Sequence, residues 1–127
     1  MIDDRANDLA YLLAAQGVRK GTHVGIYGNN SANWIICFFA IQKLGAFCVL
    51  LNPALTPEEI AKHSDAADIT HLCFGDSVHT VNEESFVNAL RVFDGNKINY
   101  FISIKRNREF ETSIEKKDIV EIIENYS

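Results

Sequence analysis

GVRKGTHVGIYGNNSANWIICFFAIQKLGAFCVLLNPALTP, running from Gly17 to Pro57, sets two short apolar runs on either side of a longer aromatic one. The first, His23–Tyr27, is rich in strand formers and sits between turn signals at Gly21 and Gly28. The last, Ala46–Leu51, is a continuous apolar run of strand length, the pattern of a central parallel strand covered on both faces. Between them, the segment from Ala32 to Leu44 has the length of a helix, with Asn30 or Ser31 to cap its start and Gly45 to end it. That helix is apolar nearly all round, which predicts cover on two sides. Strand, helix and strand make a β-α-β unit, which specifies an α/β core and no chemistry.

The flanking sequence extends the same alternation. Upstream, Ile2–Gln16 places Ile2, Ala6, Leu9, Ala10, Leu12, Leu13 and Ala14 on one broad stripe of a helix, and Gly17 is well placed to terminate it. Downstream, Thr56-Pro57-Glu58-Glu59 is a helix start, with Thr at N-cap, Pro at N1 and Glu at N3. Ile69–Phe74 and Ile98–Ile104 read as further strands, with a weaker helix over Val78–Val92 between them. Ile114–Tyr126 reads as a closing amphipathic helix. Regular alternation implies right-handed crossovers. The expected fold is α/β with three layers: a mostly parallel sheet of about four strands, with helices on both faces. Residues 1–127 are expected to form one domain, since a chain of this length fills a single core.

Composition narrows the class of partner. A net charge of −5 argues against nucleic acid or an anionic membrane surface. The longest apolar run, Trp34–Ile41, is interrupted by Gln42 and Lys43 and is too short to span a bilayer. No basic segment followed by an apolar one marks a secretory signal. Cys37, Cys48 and Cys73 lie in apolar runs with no CxxC spacing, so the thiols fit a reducing cytoplasm better than a zinc site or a disulfide scaffold.

Candidate chemistry is sparse. Gly25 and Gly28 follow strand residues, but a dinucleotide fingerprint needs G-x-G-x-x-G at the strand–helix turn, and Ala32-Asn33-Trp34 is a poor phosphate cradle. No Walker A sequence occurs. His23, His63, His71 and His79 are dispersed over different elements without a carboxylate or cysteine at a defined spacing, so each reads first as a packed or surface residue. Ser31 and Ser77 lie in loops, but neither sits in a G-x-S-x-G elbow. Trp34 reads as a core or interface anchor. The basic residues of 105–108 are followed at once by acidic ones and read as a solvated loop. No residue is assigned a catalytic or metal-binding role.

One resemblance does carry a function. Arg5-Ala6-Asn7 with Leu9-Ala10, Gly17-Val18-Arg19-Lys20-Gly21 and Val24-Gly25-Ile26 are followed by Asn30-Ser31-Ala32-Asn33-Trp34 and Gly45-Ala46. Leu51-Asn52-Pro53 and Thr56-Pro57-Glu58-Glu59-Ile60 complete the set. In order and interval, from Ile2 to about Phe74, these pieces resemble the N-terminal part of the acyl-adenylate-forming superfamily of acyl-CoA synthetases, adenylation domains and luciferases. The sequence departs from that pattern at Thr22-His23, where Asp-Arg is frequent, and at Gly28-Asn29, where Leu-Pro is frequent.

The resemblance implies a ligase that activates a carboxylic acid with ATP and magnesium and passes it from an acyl-adenylate to coenzyme A or a carrier protein. The family's Ser/Thr/Gly-rich phosphate loop, its aromatic-Gly-x-Thr-Glu segment, its ribose-binding Asp and its C-terminal lysine have no counterpart in this chain. The chain is therefore expected to be a first subdomain, inactive alone and binding no cofactor by itself, whose partner is the remainder of such an enzyme. In coenzyme A-dependent relatives, the turn equivalent to Asn52, Pro53 and Ala54 lies near the coenzyme A entrance. The structural alternative is a turn that simply ends a strand and caps a helix. A stand-alone α/β binding or interaction module is the rival reading of the whole chain. Apolar surface built to meet absent partners would drive self-association.

Overall fold

The structure, a computed structural model, describes residues 2–29, 32–75, 77–103 and 113–115. Its elements run in chain order as α1 (Ile2–Ala15), β1 (His23–Tyr27), α2 (Ala32–Lys43), β2 (Phe47–Leu51) and α3 (Pro57–Ala66). They continue as β3 (His71–Phe74), α4 (Glu83–Arg91), β4 (Tyr100–Ser103) and β5 (Ser113–Glu115). The sheet order is β2-β1-β3-β4-β5, with the first four strands mutually parallel and β5 antiparallel to β4. This is the expected three-layer α/β architecture.

Strand alternation divides the side chains between two cores. Val24, Ile26, Cys73 and Ile102 point to one face, where they pack with Leu9 and Leu13 of α1 and Ile36, Cys37 and Ile41 of α2. Tyr27, Leu51, Leu72, Phe74 and Phe101 point to the other, against Ile60 of α3 and Leu90 of α4. Arg5 Nη2 donates to Asn33 Oδ1 at 2.8 Å and ties the first two helices together. The start of α3 takes the form read from its sequence: Thr56 N–H donates to Glu59 Oε1 at 3.0 Å and Glu59 N–H donates to Thr56 Oγ1 at 3.3 Å, with Pro57 at the first helical turn. The Thr56 backbone N–H, joined by the Thr56 hydroxyl at 3.0 Å, donates to the Glu59 carboxylate and lowers its pKa from the ordinary value.

Two expectations are corrected. Ile114 and Glu115, read as the start of a helix, lie in β5, where Phe101 faces Ile114 across an antiparallel pair. The edge of β4 needs a hydrogen-bonding partner, and the polar-apolar-polar order of 113–115 suits a strand as well as a helical turn. The rest of that expected helix, with Asn30, Ser31 and the basic residues of 105–108, lies outside the described residues. The second correction concerns β2, which among the described residues is an edge strand and not a central one. Phe47 and Leu50 remain 61% and 56% exposed, and Ile35 and Phe39 of α2 are exposed as well. A continuous apolar run records that both faces are apolar but not whether a neighbour covers them.

Candidate functional site

In an open, doubly wound sheet, ligands bind outside the carboxyl ends of the strands, at the point where successive connections leave on opposite faces. Here that point lies between β1 and β3. The chain leaves β1 toward α2 on one face and leaves β3 toward α4 on the other. Three loop segments meet beside it: residues 28–29, 52–56 and 77–82.

Glycine backbone forms the floor. A Cβ on Gly28 would stand 2.9 Å from the Gly75 nitrogen and 3.0 Å from its Cα, and Gly75 N–H donates to Tyr27 O at 2.8 Å. The ends of the two central strands therefore approach through a residue with no side chain. Gly25 serves packing instead: a Cβ there would lie 3.0 Å from Ile69 Cδ1 and 3.1 Å from Leu72 Cδ1.

Above this floor sits a buried polar cluster. Tyr27, Ser77 and Thr80 are all buried. Tyr27 Oη donates to Leu55 O at 2.9 Å, and Ser77 Oγ donates to Tyr27 Oη at 3.3 Å. Thr80 Oγ1 donates to Gly75 O at 2.9 Å and lies 3.0 Å from Ser77 Oγ. His79 contributes its backbone N–H to Ser77 Oγ at 3.1 Å, while its ring Nε2 lies 3.3 Å from Ala54 O. Burial raises the Tyr27 phenol above its ordinary value, with the Glu58 carboxylate adding to the shift and the Ser77 hydrogen bond opposing it. The phenol is thus a hydrogen-bond donor, not a base.

The turn singled out from sequence lies in this neighbourhood. Asn52 and Ala54 are exposed and Pro53 is half-buried. Asn52 Oδ1 accepts Ala54 N–H at 2.9 Å, and its backbone carbonyl accepts Leu55 N–H at 3.1 Å, so the turn closes on itself. Sequence reading missed that His79 and Tyr27 converge on it. His79 carried no local signal, being separated from Ala54 by 25 positions.

The remaining candidates have structural roles. His23 Nδ1 lies 2.7 Å from Ala67 O, and its ring meets Phe47 edge-on. His63 is exposed on α3. Trp34 stacks on Phe38 with ring centroids 6.0 Å apart. Burial pushes the Cys37 thiol well up, and Cys48 is pushed up to about 11, so neither is a ready nucleophile. Among the described residues, no group of three or more His, Cys, Asp or Glu could hold a metal ion. The cavity lined by Tyr27, Phe74, Phe86 and Phe101 measures about 10 Å³, room for one water and far too small for a ligand. None of the described helices is long and apolar enough to cross a membrane.

His71 yields the first prediction. It is buried, with Nε2 2.8 Å from Gln16 O, Nδ1 2.8 Å from Thr70 Oγ1, and its ring stacked on Tyr100. Burial lowers its pKa below 6.5, so in the acid range the unfolded chain binds a proton that the folded chain resists. The sign follows: stability from the neutral ring is complete above about pH 6.5 and declines as pH falls through the lower, folded value. Thermal melts should show the midpoint falling over that interval, and His71→Gln should flatten the dependence. An unchanged slope in the variant would remove His71 as the cause.

Comparison with known proteins places this fold in company. A family model described as "AMP-binding enzyme" matches residues 2–122. Over 59 residues, 46% of this chain and 10% of the relative's length, the sequence is 39% identical to an acyl-CoA ligase of Aspergillus fumigatus. It is 34% identical over 77 residues to a 2-succinylbenzoate–CoA ligase of Listeria monocytogenes, covering 61% of this chain and 16% of the relative. Among solved structures, an anthranilate CoA ligase in complex with anthranoyl-AMP superposes with a TM-score of 0.67 at 27% identity, covering 80% of this chain and 19% of that one. The matches thus span about a fifth or less of each of these proteins.

Proposed function

Because the chain belongs to the AMP-binding enzyme family, we propose that it is the first α/β subdomain of an ATP-dependent acyl-CoA synthetase or ligase. In that reading the whole enzyme joins a carboxylate to the α-phosphorus of ATP, releasing pyrophosphate. It then transfers the acyl group to the thiol of coenzyme A, releasing AMP. The observation that carries the proposal is the family match over residues 2–122, supported by relatives named as CoA ligases. Residues 1–127 act as one α/β unit whose task is to scaffold an adenylation site completed by further chain. A cytoplasmic location goes with this reading, and three free thiols support it.

The residues at hand do not fit ATP and magnesium by themselves. The sequence has no Gly-rich phosphate loop, and the described residues hold no cluster of carboxylates. Asn52, Pro53 and Ala54 are the residues assigned to coenzyme A, as one wall of its entrance. Their position on an exposed turn at the carboxyl edge of the sheet supports that assignment.

The expected outcome of an ATP–pyrophosphate exchange assay over a panel of carboxylic acids is no turnover by this chain alone. Robust exchange would overturn the claim that its catalytic parts lie elsewhere. Self-association belongs to the same proposal. Phe47, Leu50, Ile35 and Phe39 are exposed on β2 and α2, and the outer edge of β2 pairs with no strand among the described residues. Light scattering should show mass rising with concentration, and Leu50→Lys should reduce the rise. A clean monomer at high concentration would contradict it.

A further inference from the structure

The 52–55 turn closes on itself through Asn52, but those local bonds do not attach it to the body of the domain. Two side chains from elsewhere do. Tyr27 ends β1 and donates to Leu55 O at 2.9 Å, while His79, beyond β3, brings Nε2 to 3.3 Å from Ala54 O. We propose that Tyr27 and His79 are positioning residues: together they grip the consecutive carbonyls of Ala54 and Leu55 and hold the turn in one conformation against the carboxyl edge of the sheet.

Counting protons gives the clasp a direction. Three hydroxyls meet here, and each has one proton to give. The Thr80 proton goes to Gly75 O. The Tyr27 proton goes to Leu55 O. The Ser77 proton is left for the oxygens of Tyr27, at 3.3 Å, and Thr80, at 3.0 Å. Since Ser77 offers its proton to Tyr27 Oη and Leu55 O can only accept, the phenol proton is committed to the turn. His79 N–H in turn donates to Ser77 Oγ at 3.1 Å, so the residue that grips Ala54 also orders the hydroxyl behind Tyr27. The ring of His79 donates through Nε2–H, because a backbone carbonyl has no proton to offer. Tyr27, Ser77 and Thr80 are buried, so solvent does not replace a link broken among them, whereas the His79–Ala54 contact lies at the surface and adds a weaker second grip.

The functional meaning rests on the reading of Asn52, Pro53 and Ala54 as part of a coenzyme A entrance. The clasp itself rests on geometry, and the test separates the two. Hydrogen exchange is measured at the amides of Ala54 and Leu55 in the intact protein, and the cross-peaks of Asn52 and Ala54 are followed while coenzyme A is added. His79→Ala should speed exchange at both amides about five- to tenfold, the factor expected for one lost hydrogen bond. The strand amides of β1 and β3 should be unaffected. His79→Gln, whose amide NH₂ reaches the position of Nε2, should restore protection. Tyr27→Phe should act on Leu55 in the same sense. In the entrance reading, coenzyme A shifts the two cross-peaks in the unaltered protein, and His79→Ala weakens binding while His79→Gln recovers it.

Unchanged exchange in both His79→Ala and Tyr27→Phe would overturn the clasp. So would failure of His79→Gln to rescue, or loss of protection spread evenly through the sheet, since the residues would then serve the fold and not the turn. If coenzyme A leaves both cross-peaks in place while exchange responds as described, the entrance reading fails and the clasp stands.

Discussion

Gly28→Ala is expected to cost about 2–6 kcal/mol, a large fraction of the stability of an ordinary domain. Two effects add. Gly28 has a φ of 151°, a conformation that residues with a side chain adopt at a cost of about 1–3 kcal/mol. The new Cβ would also stand 2.9 Å from the Gly75 nitrogen, a backbone atom that cannot swing aside. Relieving that contact means parting the ends of β1 and β3, where Gly75 N–H bonds to Tyr27 O. Overpacking of this kind adds about 1–3 kcal/mol. Gly17→Ala is the control. Gly17 has a φ of 90°, but a Cβ there would meet nothing within 4 Å, so only the backbone term remains. Urea unfolding of the two variants should therefore separate by roughly the clash alone. Equal losses would mean that the strand ends yield without resistance and that Gly28 is not needed for their approach.

The second large effect is expected from Phe101→Ala. Phe101 lies on β4, is 1% exposed, and meets Phe93 edge-on with ring centroids 5.3 Å apart. Removing a buried ring leaves a cavity that a packed sheet fills poorly, at about 3–5 kcal/mol. Phe39→Ser provides the contrast. Phe39 is half exposed on α2, so its loss should cost about 1 kcal/mol, well below the loss at Phe101, while reducing self-association. Chemical denaturation and light scattering on the two variants distinguish a ring buried in the core from one displayed at the surface. Should Phe39→Ser prove as destabilising as Phe101→Ala, the outer face of α2 would be part of the core and not an unpartnered surface.

Much of the fold was legible in the chain because its signals are local. Thr56-Pro57-Glu58-Glu59 announces α3 through groups three residues apart, and the same bonds appear in the structure. HVGIY announces β1 by composition, and its last four residues are buried as a two-sided strand requires. Where the reading failed, the deciding neighbour was distant. The short polar-apolar-polar stretch at Ile114 fits either period, and the choice between helix and strand falls to the edge of β4. The candidate site followed the same division. Asn52, Pro53 and Ala54 were singled out by resemblance, whereas His79 and Tyr27 could be joined to that turn only once β1 and β3 lay side by side.

Sequence alone determined the element types from α1 to β4, the α/β class and the family, because capping, alternation and the spacing of the family's residues are written within short windows. Only the tertiary structure decided the order β2-β1-β3-β4-β5, the placing of β2 at an open edge, and the meeting of Tyr27, Ser77 and His79 with the 52–55 turn. The physical reason is that a right-handed crossover relates the face a helix covers to the direction in which the next strand is laid down, yet leaves that direction open. Burial summed over the two cores chooses the direction, and no short stretch of the chain carries that sum.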